Sequence, residues 1–162
     1  MRISFHQISK EDNVQIASVI RSVLKEHGVD KPGTVYTDPT TDALFQLFQI
    51  PGSVYWIAKI DGEIIGGCGI FPTTGLPKGY AELVKLYVSS SARGKGIGYQ
   101  LMEICFDSAL KMGYKKLYLE TLPELNKAVS LYQNLGFEFL KEPMGDSGHF
   151  ACDIWMEKDL LK

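Results

Sequence analysis

The run Arg93-Gly94-Lys95-Gly96-Ile97-Gly98 constrains the fold more than any other stretch of the chain. It joins an apolar, strand-like run, Ala81 to Val88, to a helix-like run, Ile97 to Met112. A glycine-rich turn between a strand and a helix gathers several backbone N–H groups at one point. The helix cannot satisfy them, and its dipole makes that point electropositive. Such a turn is a phosphate cradle, and its small side chains let a pyrophosphate reach the backbone. The Walker spacing G-x-x-x-x-G-K-[ST] is absent. The dinucleotide spacing G-x-G-x-x-G is absent too, because Gly94, Gly96 and Gly98 alternate. The spacing that is met is Arg-x-x-Gly-x-Gly. A turn that only connects two elements would use the same residues, so its surroundings must decide.

Those surroundings alternate between strand and helix patterns. Residues 2 to 8 read as a first strand, and Ser9 as the N-cap of a helix over residues 10 to 26. Val14, Ala17, Ile20, Val23 and Leu24 mark its apolar side, and Gly28 ends it. Asp38-Pro39 starts a second, shorter helix that carries Leu44, Phe45, Leu47 and Phe48 and stops before Pro51-Gly52. Asp61-Gly62 is a two-residue hairpin signal between strands over 54–60 and 63–71. After the strand over 81–88, a third helix runs from about Gly96 to Met112, with Ile97, Leu101, Cys105 and Ala109 on one face. A strand over 115–121, a helix over 125–135 and two last strands, 137–140 and 149–156, complete the order. There is no repeat or linker, so one domain over 1–162 is expected. The class is α+β: a mixed, twisted, largely antiparallel sheet flanked by about four helices.

Composition narrows the function. A net charge of −2 argues against a sequence-independent nucleic-acid binder. No apolar run reaches membrane-spanning length, and the N-terminus lacks the apolar core of a signal peptide. The three cysteines, Cys68, Cys105 and Cys152, sit in apolar runs without C-x-x-C spacing. They read as reduced thiols in a cytoplasmic protein. The three histidines are scattered, and no metal site is expected.

Three segments in order resemble the GNAT superfamily, the acyl-coenzyme A-dependent N-acetyltransferases. They are the strand Glu82 to Val88, the turn Arg93 to Gly98, and Asn126-Lys127-Ala128-Val129-Ser130-Leu131-Tyr132-Gln133-Asn134-Leu135-Gly136-Phe137. The resemblance is firm over roughly residues 80 to 140; upstream only the order of elements fits. It implies that two central parallel strands, 81–88 and 115–121, splay apart. The pantetheine arm of acetyl-coenzyme A would then lie against the backbone of Leu86, Tyr87 and Val88 like an added strand. The Leu86 N–H would stabilise the oxyanion of the thioester carbonyl. The amides of Gly94, Lys95, Gly96, Ile97 and Gly98 would hold the pyrophosphate. Arg93 would add charge there or brace the loop.

The resemblance also assigns catalytic roles. An alkylammonium has a pKa of about 10.4, so the acceptor amine must lose a proton before it attacks. Glu82 is the candidate base, acting directly or through water. Tyr132 matches the tyrosine that protonates the leaving thiolate, and Asn126 would touch the pantetheine arm. Each has a plainer alternative: a salt-bridged strand glutamate, a core tyrosine, a helix cap. No cysteine falls at a motif position, so direct attack in a ternary complex is expected. Tyr36, Trp56, Phe71, Glu120 and His149 are candidates for the acceptor pocket. The implied activity is transfer of acetyl to a primary amine of a small molecule or peptide, with a homodimer admitted. A non-catalytic acyl-coenzyme A binding module needs only the loop and is the alternative. An ATP-binding loop is disfavoured, because the Walker Lys-Ser/Thr pair is missing.

Overall fold

A computed structural model describes all residues, Met1–Lys162. Seven strands form one sheet: β1 Ile3–Gln7, β2 Val54–Ile60, β3 Glu63–Phe71, β4 Tyr80–Val88, β5 Lys116–Thr121, β6 Glu138–Leu140 and β7 Ile154–Asp159. Their order is β1-β2-β3-β4-β5-β7-β6. Only β4 and β5 run parallel; every other pair is antiparallel. Four α-helices accompany the sheet: α1 Asn13–Glu26, α2 Leu44–Leu47, α3 Ile97–Lys111 and α4 Asn126–Asn134.

The helices divide the core in two. On one face, Ile16, Ile20 and Leu24 of α1 pack with Leu44 and Phe48 against Tyr55 and Ile57. On the other, Ile97, Leu101, Cys105 and Ala109 of α3 pack with Val129 and Tyr132 of α4 against the central strands. The four α3 residues are those its 3.6-residue period selects. In α1 the period selects Ile16, whereas Val14 is 81% exposed. Two residues apart on a helix is about 200°, so Val14 lies opposite Ile16.

Local chemistry sets the boundaries. Asp12 accepts from both the N–H and the hydroxyl of Ser9, at 2.8 and 3.0 Å, and fixes the turn that leads into α1. Asp61 and Gly62 both take positive φ, as a tight hairpin with the right twist requires. Asp38 caps the next helical segment through Thr40, as its Asp-Pro start predicts. That segment is not the short α-helix expected. Residues Pro39–Ala43 form a 3₁₀ helix, and only one α turn follows.

The last strand is also displaced, beginning at Ile154 instead of 149. Residues 149–152 are held by another partner. The Ala151 N–H donates to Gly33 O at 3.1 Å, and His149 Nε2 pairs with Asp38 at 3.0 Å. The segment therefore straps the C-terminal part of the chain to the loop after α1 and does not extend the sheet.

Candidate active site

The site begins where β4 stops pairing. Strand β4 meets β5 only at Tyr80↔Lys116, Ala81↔Leu117 and Glu82↔Tyr118. Beyond Glu82 it diverges, while β5 stays paired to β7 through Thr121. The Ser89 N–H still donates to Ile65 O on β3 at 2.7 Å. By strand alternation Tyr87 also faces β3, so the backbone groups of Leu86 and Val88 face the opening. The result is a cleft of about 650 Å³ between β4, β5, α3 and α4.

A bulge in β4 shapes this cleft. The β3–β4 register passes from Gly69↔Val84 to Gly67↔Tyr87, so Lys85 and Leu86 together oppose Cys68. Lys85 takes φ 56°, a left-handed conformation for a side chain that normally avoids it. Side-chain parity flips at that point. Glu82 and Val84 before the bulge, and Lys85 and Tyr87 within and after it, share the face that carries α1. Leu86 and Val88 turn to the α3 face.

At one end of the cleft lies the glycine turn. Gly94 and Gly96 have φ 79° and 72°, and a Cβ on either would meet no atom within 4 Å, only the open space of the cleft. Gly96 is the N-cap of α3, which leaves the first helical amides without helical partners. This cradle fits a pyrophosphate. Gly94, Gly96, Ile97 and Gly98 line the cleft; Lys95 is exposed and stands outside its wall.

Arg93 lines the cleft and makes the contacts of a brace. Its guanidinium donates to Val88 O at 3.2 and 3.1 Å and pairs with Glu26 of α1 at 2.5 and 3.0 Å. Its charge is paired with Glu26 at the end of α1, and its remaining N–H groups tie the end of β4. It also occupies the Val88 carbonyl, leaving the N–H as the free group there.

Tyr132 and Glu82 border the cleft. The Tyr132 ring sits edge-on to Phe137, 5.8 Å between centroids. Its hydroxyl bonds to no other protein group, and burial raises its pKa above the ordinary phenol value, so it is protonated. Burial also pushes the Glu82 carboxyl up to about 7, with the nearby charge of Glu120 acting in the same direction. Thr73 donates to Glu82 Oε1 at 2.5 Å and holds the carboxylate in place. Asn126 opens α4 without capping it, since the N-cap is Leu125, and its exposed amide lines the cleft.

A smaller chamber of about 220 Å³ adjoins the cleft at Glu82, Val84, Lys85 and His149. Phe71, Thr73, Asp38, Asp146 and Ser147 are also on its wall. Of the five acceptor-pocket candidates, Phe71, Glu120 and His149 border one chamber or the other. Trp56 does not, because it faces α3 and donates to Ser108 Oγ at 3.0 Å. Tyr36 lies instead under the Arg21 guanidinium, 6.0 Å from the ring centre. Sequence alone marks Asp38 as a helix start and Cys152 as a thiol in an apolar run, and it assigns neither of them, nor Lys85 or Thr73, to the site. A lysine inside the apolar run Leu83-Val84-Lys85-Leu86 is the one signal that could have found any of them. Cys152 lines the cleft, so the site does contain a thiol. Burial pushes that thiol up to about 12, and at neutral pH it is a poor nucleophile.

Comparison with known proteins agrees with this geometry. The sequence profile of the acetyltransferase (GNAT) family matches residues 20–137. The chain is 40% identical over 156 residues to the uncharacterized N-acetyltransferase YjgM of Escherichia coli K12, covering 95% of this chain and 93% of that one. A GNAT-family acetyltransferase of Staphylococcus aureus Mu50 superposes with a TM-score of 0.85 at 18% identity, covering 98% and 99% of the two chains. The PaiA N-acetyltransferase of Thermoplasma acidophilum, solved in complex with coenzyme A, superposes at 0.74 with 19% identity, covering 98% and 99%. The chain belongs to the GNAT acetyltransferase family and is an acyltransferase. No helix is long and apolar enough to cross a membrane.

Proposed function

We propose that this protein moves the acetyl group of acetyl-coenzyme A to a primary amine by direct attack in a ternary complex. The carrying observation is the splayed cleft, which joins a phosphate cradle at Gly94–Gly98 to Glu82 and Tyr132 on its walls. The amides at the start of α3 hold the pyrophosphate. Leu86 and the Val88 N–H hold the pantetheine arm, with the Asn126 amide beside it. Bound there, acetyl-coenzyme A supplies an activated thioester carbonyl.

Glu82 takes the proton from the acceptor ammonium, a role suited to a carboxylate whose pKa lies near the working pH. The Leu86 N–H steadies the charge that grows on the carbonyl oxygen. Tyr132 gives its proton to the departing thiolate. Cys152 takes no covalent part, since its thiol is neutral. Free cysteines throughout fit a reducing compartment, and we place the protein in the cytoplasm.

The test is release of free thiol from acetyl-coenzyme A across a panel of amines, amino acids, polyamines and lysine peptides. Turnover with a defined amine is expected. Donor binding without turnover on any member of the panel would count against the reading, and trapping an acetylated cysteine on pathway would sink direct attack.

A further inference from the structure

The scheme above leaves one buried charge without a task. Lys85 is 9% exposed, and its side chain opens into both the donor cleft and the smaller chamber. It makes no ion pair or side-chain hydrogen bond within the protein. None of the acids around it pairs with it: Asp38 and Glu120 are engaged through both oxygens, Glu82 through one, and Asp146 stands on the chamber wall without contacting it. Asp38 accepts from Thr40 through one oxygen and pairs with His149 through the other. Glu120 accepts from Tyr118 and Ser147. Glu82 accepts from Thr73 through Oε1, and Oε2 is left for an incoming amine.

No fully buried side-chain nitrogen lacks a partner, so the Lys85 ammonium reaches the open cleft, and a largely desolvated cation with no protein partner is costly there. Here it is also held on a left-handed backbone, which disfavours any residue but glycine. A position that served packing alone would be filled by an apolar side chain at lower cost. The bulge instead brings a cation onto the same face as Glu82, beside the point where the acceptor must lie.

We propose that Lys85 binds a carboxylate of the acceptor, and that the acceptor is of the amino-acid class: a primary amine and a carboxylate on one small molecule. This rests on the acetyl-transfer reading above. The amine end meets Glu82 and the carboxylate end meets Lys85, so opposite charges on one strand read opposite charges on the substrate. Burial depresses the lysine pKa in the free protein, and an anion beside it restores the charge. The competing role is electrostatic tuning of Glu82 alone, since the two side chains influence each other.

The experiment compares free amino acids with their carboxamides as acceptors, in wild type, Lys85→Met and Lys85→Arg. Wild type should prefer the free acid. In Lys85→Met the ratio of kcat/KM for acid over carboxamide should fall on the order of tenfold to a hundredfold, mostly through KM, as expected for a lost charge-assisted bond. Lys85→Arg should retain part of the preference. Equal activity on acid and carboxamide in wild type would overturn the proposal. So would an equal loss on both in Lys85→Met together with a displaced pH profile, which assigns Lys85 to tuning Glu82.

Calorimetry separates the two levels. If wild type does not bind coenzyme A, the acetyl-transfer reading fails and takes this one with it. If coenzyme A binds and only amines without a carboxylate are acetylated, that reading stands and this one falls. If nothing is acetylated, binding of N-acetyl amino acids to the coenzyme A complex decides. Binding lost in Lys85→Met supports the proposal, and no binding in wild type refutes it.

Discussion

The hydroxyl of Tyr55 on β2 donates to the carbonyl of Lys85 on β4 at 2.8 Å, reaching across β3. It can do so because β3 carries Gly66, Gly67 and Gly69, and its ring lies over the last two. A Cβ at Gly67 or Gly69 would come within 2.5 or 2.6 Å of that ring. The bond fixes the carbonyl of the one strand residue with left-handed φ, and so fixes the bulge. The bulge in turn sets which side chains face the acceptor and where β4 leaves β5. A glycine run on one strand and a tyrosine on another thus shape a site to which neither contributes chemistry.

Tyr55→Phe should therefore damage the site as well as the fold. It strands a buried carbonyl, which costs about 1–3 kcal/mol. Urea unfolding should show that loss. Turnover should fall further than donor affinity, because Lys85 and Glu82 lose their shared orientation. A variant that is destabilised with unchanged kinetics would show that the bulge holds without the bond.

Gly67→Ala places a methyl 2.5 Å from the Tyr55 ring and 2.8 Å from Trp56 O, and the backbone oxygen cannot yield as a flexible side chain would. The expected loss is about 2 kcal/mol or more, read as a lower urea midpoint. Gly94→Ala is the comparison. It meets open space and incurs only the strain of positive φ, about 1 kcal/mol. Equal midpoints for the two would mean that β3 moves aside.

Gly96→Glu tests the cradle. The new side chain would project into open space, so the fold should survive with only backbone strain. Its carboxylate would stand where the pyrophosphate binds, and calorimetry should show no coenzyme A binding. Gly96→Ala should bind with intermediate affinity. Wild-type affinity in the glutamate variant would remove the phosphates from this turn.

The legible parts of the chain were those written in short-range chemistry. The hairpin at Asp61-Gly62, the α3 core face and the Asp38 cap each depend on a few adjacent residues. The glycine turn was legible as a motif, and the cleft it opens lies where the resemblance implied. What stayed hidden depends on contacts distant in sequence. The strap at His149–Cys152 is decided by Gly33 and Asp38, so its local pattern reads as a strand that the fold does not form. The role of Lys85 required a bulge that only the β3 glycines and Tyr55 reveal together. The bracing contact of Arg93 comes from Glu26, 67 residues away, which no local pattern shows.

Tyr132→Phe keeps the ring and its edge contact with Phe137 and removes only the hydroxyl. Turnover should fall on the order of tenfold to a thousandfold, with coenzyme A affinity and unfolding midpoint close to wild type. An equal loss of affinity and turnover would mark the residue as part of the core alone.

Glu82 links catalysis to stability through one titration. Its carboxyl titrates at about 7 in the fold, against about 4.3 in an unfolded chain. The folded state therefore holds this proton more tightly. The stability it lends is present below about pH 4.3 and is lost as pH rises through 7. Glu82→Gln cannot ionise, so its stability relative to wild type should climb across that window, by up to about 3 kcal/mol at pH 8. Activity should move the other way. Wild-type kcat/KM should rise with pH and level off above about 7 as the base ionises, while the glutamine variant should lose on the order of a hundredfold or more together with that inflection. Paired urea titrations and pH–rate profiles from pH 5 to 9 check both halves. A glutamine variant that gains no stability at high pH would place the charged carboxylate in a better-solvated setting than its burial implies. A variant that kept the inflection would transfer the base to another group on the cleft wall.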